Sequence, residues 1–370
     1  MPVVPGVNVA VVEEPALGPG APTDTSTTFL LTADANGPAT ATRITSPDQA
    51  RADFPTATTL HAEVDAIQRE GRSETGVPLV QAIKLDTAVG GLQTTLDKIP
   101  ATLGPGQVVA PAVVASADII TVGEWAWTSN RVFIANAAAD ATDAQLSTLA
   151  AAVIASGNGR NVALFADAAI IPGIGASTRQ VPWSLVQAGI IARNDLRTGN
   201  PALAAAGDNG IAVYALGLLA ERNDVSMTTL NAAKVNVARA PFGGAPRGYG
   251  YRTLADLAVL PQWWDLGGSR VVMDVRSNSA SSSERILFAP FDSGGQTLAK
   301  WNGLLSDRCL ELLRVGALFG NPVDAFTVDT GVALNPTASL AAGRGRATIR
   351  LKTAPFAESL DVSIVRQKIA

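Results

Sequence analysis

The chain has 370 residues, a formal net charge of −4 and a charged fraction of 16%, where roughly a quarter is usual for soluble domains. That length supports two or three domains with cores of their own. Mild acidity, with no Lys/Arg cluster interleaved with aromatics, argues against a nucleic-acid partner, and the absence of a run of about 18 apolar residues argues against membrane insertion.

Mean hydropathy is nevertheless positive, at +0.21. Much apolar surface must therefore be buried, either in large cores or inside an assembly. The abundance of Ala and Val, which suit sheet edges and close packing, favours the assembly. Residues 1–14 carry no basic region, and Pro2 and Pro5 interrupt their apolar stretch, so they make a poor signal peptide. Cys309 is the only cysteine; no disulfide can form within the chain, and synthesis in the cytoplasm is expected.

In chain order, Val7, Val9 and Val11 alternate on one face of a first strand. Its surroundings, Pro5-Gly6 before it and the Gly/Pro-rich residues 17–22 after it, separate it from the next element. Such a strand needs a partner edge, in its own sheet or, by strand addition, in a neighbouring subunit. Residues 27–32 read as a strand, 58–70 as a helix with Leu60, Val64 and Ile67 on one face, and 77–85 as a further strand. A boundary is expected at Gly104-Pro105-Gly106.

From residue 107 to about 254, strands and helices alternate. Residues 131–135 and 161–167 read as strands. Thr142 and Gln145 form a capping box for a helix that turns Leu146, Leu149 and Val153 inward and stops at Gly157. Residues 171–175 read as a Gly/Pro loop and 181–193 as a helix that tolerates Gly189. This order implies a mostly parallel sheet in an α/β layer. Beyond it, 254–265 reads as a helix broken at Pro261, 270–275 as a strand and 277–283 as a polar loop. Residues 298–318 read as a long helix with Cys309 on its inward stripe, ended by Gly320-Asn321-Pro322; 346–352 and 361–369 read as strands. No fixed-period repeat is present.

Catalytic chemistry has little to work with. His61 is the sole histidine and lies on a helix, and there is no Gly-x-Ser-x-Gly elbow to pair it with. One His and one Cys cannot make an ordinary zinc site. Asp140 and Asp143 are better explained as turn and helix-start residues than as a cation site. The glycine runs at 156–159, 172–175 and 242–250 lack the order or spacing of phosphate-binding loops. Trp263 and Trp264 are adjacent, so on a helix they point about 100° apart and make no common platform; one facing the core and one a subunit contact is the expected split.

The order of several motifs resembles the contractile-tail sheath proteins. Pro5-Gly6-Val7, Glu13-Glu14-Pro15 and Thr25-Ser26-Thr27-Thr28-Phe29 resemble the opening of that family. Gly104-Pro105-Gly106-Gln107-Val108 is similar to the entry of its middle domain, and Arg193-Asn194-Asp195 with Gly199-Asn200-Pro201 to the segment that closes it. The most specific stretch comprises Trp301, Gly316-Ala317-Leu318-Phe319-Gly320, Ala325-Phe326-Thr327-Val328, Asn335-Pro336, Gly343 and Ala354-Pro355-Phe356-Ala357-Glu358.

The resemblance implies a mixed α/β and α+β fold: a subtilisin-like α/β middle domain without the catalytic triad, a C-terminal α+β sheath core domain, and extended N- and C-terminal strand arms. The implied division is residues 1–22 (arm and linker), 23–103, 104–254, 255–353 and 354–370 (second arm). It implies a structural subunit and no enzyme, with no cofactor, no metal and no catalytic residue. Hexameric rings would stack around a tail tube, joined by arm strands carrying Val7, Val9 and Val11 at one end and Val362, Ile364 and Arg366 at the other. Contraction would drive the tube through a target envelope, as in DNA ejection by a bacteriophage.

Implied partners are further copies of the chain, the tube protein, and baseplate and tail-terminator proteins. The implied location is the tail sheath of a virion, assembled in the host bacterial cytoplasm. A tube-facing helix would present Leu310, Arg314 and Leu318. Two other classes remain open on sequence: an α/β hydrolase-like enzyme, and a non-contractile self-assembling surface or capsid-type protein.

Overall fold

The computed structural model describes residues 24–173, 177–292 and 294–357. Its first strand, β1 (Thr28–Thr32), is buried along its whole length, as its unbroken run of Thr, Phe and Leu requires of a strand covered on both faces. There follow β2 (Thr42–Ile44), α1 (Pro47–Asp53), α2 (Thr58–Glu70), β3 (Val80–Lys84), α3 (Gly91–Asp97), β4 (Gly106–Val109), α4 (Ser116–Thr128), β5 (Arg131–Asn136), α5 (Asp143–Ala155) and β6 (Val162–Phe165).

These six strands form one sheet in the order β2-β3-β1-β4-β5-β6. All its neighbours run parallel except β2, which is antiparallel to β3. Alternation along each strand splits the core in two. Leu30, Val80, Val109, Ile134 and Phe165 face α2 and α6 (Trp183–Thr198); Phe29, Ile83, Val108, Phe133 and Leu164 face α4 and α5.

The sheet runs unbroken across the boundary expected at Gly104. β4 begins at Gly106 and pairs with β1, Thr28 lying opposite Gln107. Gly106 has φ +151°, and a Cβ there would come within 2.2 Å of the Thr27 carbonyl. The glycine thus serves a close strand approach inside one layer, where the Gly-Pro-Gly pattern suggested a break between two.

Local signals set the helix starts. The Thr142–Gln145 capping box opens α5, Ser46 caps α1, and Asp34 accepts hydrogen bonds from the Thr59 and Leu60 amides to cap α2 from a distance. Gly189 sits where α6 crosses α2; a Cβ there would lie 2.7 Å from the Ile67 carbonyl oxygen and from Glu70 Cβ. Residues 171–172, expected in a loop, instead end β7 (Ala168–Pro172), which lies between β8 (Thr178–Pro182) and β9 (Gly217–Leu218) in a small sheet. α7 (Asp224–Ala232) and the antiparallel pair β10 (Val237–Arg239) and β11 (Arg247–Tyr249) complete this part.

The last third differs most from expectation. Residues 254–265 hold only a single 3-10 turn, Pro261–Trp263. The expected strand at 270–275 and loop at 277–283 are one helix, α8 (Leu266–Glu284). A short apolar run such as Val271-Val272-Met273 has no helix or strand signature of its own, and burial decides it. Asp265 caps the helix by accepting the Gly268 amide. Ser269, Ser277, Ser279 and Ser283 are buried, with Ser269 donating to the Arg160 carbonyl and Ser283 accepting from Trp301 Nε1.

α9 (Gln296–Arg314) packs on α8 and stops earlier than expected. Gly316, at φ +79°, donates to Leu313 and Ala317 donates to Leu312, the paired bonds of a glycine-terminated helix. Asn321 and Pro322 start α10 (Pro322–Ala325) instead of ending α9. β12 (Phe326–Asp329), α11 (Thr337–Ala341) and β13 (Thr348–Leu351) follow.

Candidate assembly site

β12 and β13 form an isolated antiparallel pair in which Phe326 faces Leu351 and Asp329 faces Thr348. Two strands alone are marginally stable in water; here one face is covered. Phe326, Val328, Ile349 and Leu351 pack on Cys309, Leu312, Ala317 and Ala325, while Thr327, Asp329 and Arg350 are exposed.

Register fixes which backbone groups remain at the edges. Lys352 donates to Ala325, so Thr327–Arg350 and Asp329–Thr348 are the hydrogen-bonded pairs, and the residues between them turn their N–H and C=O outward. On β12 the outward Val328 carbonyl already accepts from Asn302 Nδ2 at 2.9 Å. On β13 the outward groups of Ile349 and Leu351 have no partner among the described residues. An edge of this kind accepts another strand.

A buried polar cluster lies at the roots of the two chain ends. Thr25 Oγ1 donates to Asp195 Oδ2 at 2.9 Å. Asp195, on α6, is ion-paired with Arg270 on α8, whose Nη1 also donates to the Pro201 carbonyl at 2.9 Å. Burial raises the Asp195 pKa and the Arg270 charge opposes that rise; burial likewise works most strongly against the Arg270 charge, but Asp195 and Tyr251 together hold the guanidinium above its ordinary range. Tyr251 is fully buried beside them, its pKa pushed up to about 12 by burial.

Phe356 closes the chain of contacts, 6.2 Å edge-on from the Tyr251 ring and 4.8 Å from the Trp264 ring. One turn along α8 from Arg270, Asp274 accepts two hydrogen bonds from Arg308, at 2.7 and 2.8 Å. That bidentate pair locks α9, and with it the two-stranded sheet, to α8.

The residues expected in the arms, Val7, Val9, Val11, Val362, Ile364 and Arg366, lie outside the described residues. Of the three expected on a tube-facing helix, Leu310 and Arg314 are exposed on α9. Leu318 is beyond the helix end, 4% exposed and bridged to Thr353. Val315, Phe319 and Val323 are exposed after it. The Asp195–Arg270 cluster was not foreseen; Asp265, a helix-capping residue before Leu266-Gly267-Gly268, was the available signal for α8.

The residues weighed for catalysis have structural partners. His61 is 8% exposed and its Nε2 lies 2.8 Å from the Phe54 carbonyl oxygen. Cys309 is buried, and burial pushes its thiol pKa up to about 11. Asp143 accepts from Arg222 and Ser226. Gly159 is pressed against the Leu254 carbonyl, where a Cβ would come within 1.9 Å; Gly175 lies outside the described residues. Trp263 faces inward, edge-on to Trp127 at 5.0 Å, and Trp264 covers Phe356 of the same chain. Among the described residues no group of three or more His, Cys, Asp or Glu is placed to hold a metal, and no helix is long and apolar enough to cross a membrane.

No protein-family model matches the chain, and no curated protein matches it in sequence. Solved structures match it over its whole length. The sheath complex of an extracellular contractile injection system, PVC, in the contracted state is 18% identical with a TM-score of 0.74, over 99% of this chain and 98% of that one. A chain in the six-fold symmetrised baseplate of the anti-feeding prophage is 16% identical with a TM-score of 0.71, over 100% of both. A sheath tail protein from Desulfitobacterium hafniense is 9% identical with a TM-score of 0.56, over 88% and 93%. The chain therefore has the fold of contractile-sheath subunits. It shares that fold over 99% of its length with a sheath of an injection system and over 88% of it, more distantly, with a tail sheath protein.

Proposed function

We propose that the chain is the structural sheath subunit of a contractile tail or injection apparatus. Subunits form stacked hexameric rings around a tube, and their rearrangement drives the tube through a target envelope. The carrying observation is the end-to-end fold likeness to a sheath complex, joined to a two-stranded sheet with an open edge in the C-terminal unit. In this reading residues 24–254 form the subtilisin-like layer without its triad, and 255–353 the sheath core. The segments around Val7, Val9 and Val11 and around Val362, Ile364 and Arg366 are the arms that add strands to neighbours. Each added backbone hydrogen bond contributes about 0.5–1.5 kcal/mol, so several per arm hold rings together while the subunits turn nearly rigidly.

The apolar surface of Leu310, Val315 and Phe319 with Arg314 is the proposed tube-facing side. The role is structural and needs no cofactor; partners are other copies, the tube, the baseplate and the tail terminator. Electron microscopy of concentrated full-length protein with its tube protein tests the reading. Hollow striated tubes are expected. Discrete particles that never coat the tube would overturn it. Removing residues 1–15 is expected to leave a folded subunit that no longer assembles, and wild-type-like tubes from that truncation would refute the arm assignment.

A further inference from the structure

Asp65 on α2 is buried, its side chain 1% exposed, and three guanidiniums meet on it. Arg51 and Arg179 both donate to Oδ2, at 2.5 and 2.8 Å, and Arg69 donates to Oδ1 at 3.0 Å. Burial works to raise the Asp65 pKa, but the three arginines outweigh it and hold the carboxyl below its ordinary range. Among the described residues the one further ion pair of these arginines is with Asp48, 3.5 Å from Arg51 and 92% exposed, where water screens most of its charge. Three arginines thus share two carboxylates, one of them nearly bare to solvent, and the group keeps a surplus of positive charge.

Donors are left over as well. Arg69 engages Asp65 through Nε alone, its guanidinium carbon lying 5.7 Å from the centre of the Tyr214 ring. Arg179 Nε has no acceptor among the described residues. All three side chains are partly open to solvent, Arg69 most of all. Guanidinium forks at a surface suit a carboxylate.

The chain carries a matching segment of its own. Residues 1–23 contain two charged side chains, the adjacent Glu13 and Glu14, and no Lys or Arg. At the other end, residues 358–370 offset Glu358 and Asp361 with Arg366 and Lys368, so their side chains offer no net charge. Reach agrees with charge. The first segment is tethered where Thr25 meets Asp195. Asp195 is six residues beyond Gly189, which crosses α2 at Ile67 and Glu70, and Asp65 is two residues before Ile67. At about 1.5 Å per residue and about 8–10 Å between helix axes, tether and cluster are roughly 20 Å apart. Residues 15–24 extend up to about 33 Å.

We propose that Glu13 and Glu14 dock on the Arg51, Arg69 and Arg179 cluster of their own chain. The expected strand of Val7, Val9 and Val11 ends two residues before Glu13, so this contact fixes where that strand leaves the subunit surface. Charge and reach carry the contact whether or not the chain is a sheath subunit.

Phenylglyoxal, which modifies guanidinium groups, tests it on dilute, unassembled full-length protein, with mass spectrometry reading each arginine. In low salt, Arg51, Arg69 and Arg179 are expected to label at least about threefold faster in Glu13→Gln/Glu14→Gln than in wild type, the scale of one or two surface ion pairs. Arg344, exposed in the C-terminal unit, is expected to label equally in both. In about 1 M sodium chloride the wild type is expected to lose its protection. Equal labelling of the three arginines in the two proteins at low salt overturns the proposal, as does protection that survives salt. Protection that falls on tenfold dilution would place the segment on a neighbouring copy and overturn the same-chain contact.

Discussion

Arg270 on α8 and Asp195 on α6 form an ion pair whose side chains are only 1% and 6% exposed. Asp195 accepts from Thr25 at the start of the described chain, and Arg270 adjoins Tyr251, against which Phe356 packs near its end. Removing one partner of such a pair strands the other. Arg270→Met is expected to cost about 3–5 kcal/mol, read as a fall in the urea midpoint. The double variant Arg270→Met/Asp195→Leu is expected to recover most of it, because the uncompensated carboxylate is gone.

Glu63 on α2 is 3% exposed. Burial raises its pKa from 4.5 to about 8, opposed by the Thr32 hydroxyl and reinforced by Asp34. The folded chain thus keeps a proton that the unfolded chain releases. The resulting stability is fully present below about 4.5 and is lost as pH rises through about 8. Glu63→Gln does not titrate, so its stability relative to wild type is expected to improve by ~3 kcal/mol between pH 5 and 8. Parallel pH profiles for the two proteins would contradict this.

Gly159→Ala places a methyl group 1.9 Å from a main-chain oxygen of Leu254, which is itself tied to β6 by its bond to Val162. Backbone cannot swing aside as a side-chain tip can. A loss of more than ~3 kcal/mol is expected, in the range of severe overpacking, measured by denaturation; an unchanged midpoint would show that the segment moves freely.

Proline scanning of β13 separates the ladder from its open edge. Ile349→Pro removes an outward N–H and is expected to leave a folded subunit that does not assemble. Arg350→Pro removes an N–H that faces β12 and is expected to destabilise the C-terminal unit itself. Circular dichroism and electron microscopy of the two variants distinguish these outcomes. If Ile349→Pro assembled normally, the β13 edge would not be the receiving one.

Cys309, buried with its thiol pKa raised to about 11, is expected to resist iodoacetamide at pH 8 until the protein is unfolded, as mass spectrometry would show. Rapid labelling of native protein would mean that α9 opens.

Elements with their own local chemistry were legible in the residues. Thr142 and Gln145 gave the start of α5, and Leu60, Val64 and Ile67 gave the bounds of α2. The C-terminal pair of strands was half visible, since Thr348–Leu351 alternates but its partner Phe326–Asp329 was seen only as a motif. α8 was misread because its serines look solvent-facing, and only tertiary partners such as Arg160 and Trp301 make their burial tolerable. The sheet's continuity past Gly104 was hidden for a similar reason. A Gly-Pro-Gly run marks a domain break and a tight strand approach with the same letters, and only the Thr27 carbonyl distinguishes them.

The meeting of Thr25, Asp195, Arg270, Tyr251 and Phe356 has a mechanical corollary. A pull applied between the two ends of the described chain is received by a compact tie of five side chains before it reaches any strand of the large sheet. The sheet then works as ballast hung on that tie, and its hydrogen bonds are spared shear. Strength under traction is thereby expected to follow the tie's few polar contacts, Thr25–Asp195 and Asp195–Arg270.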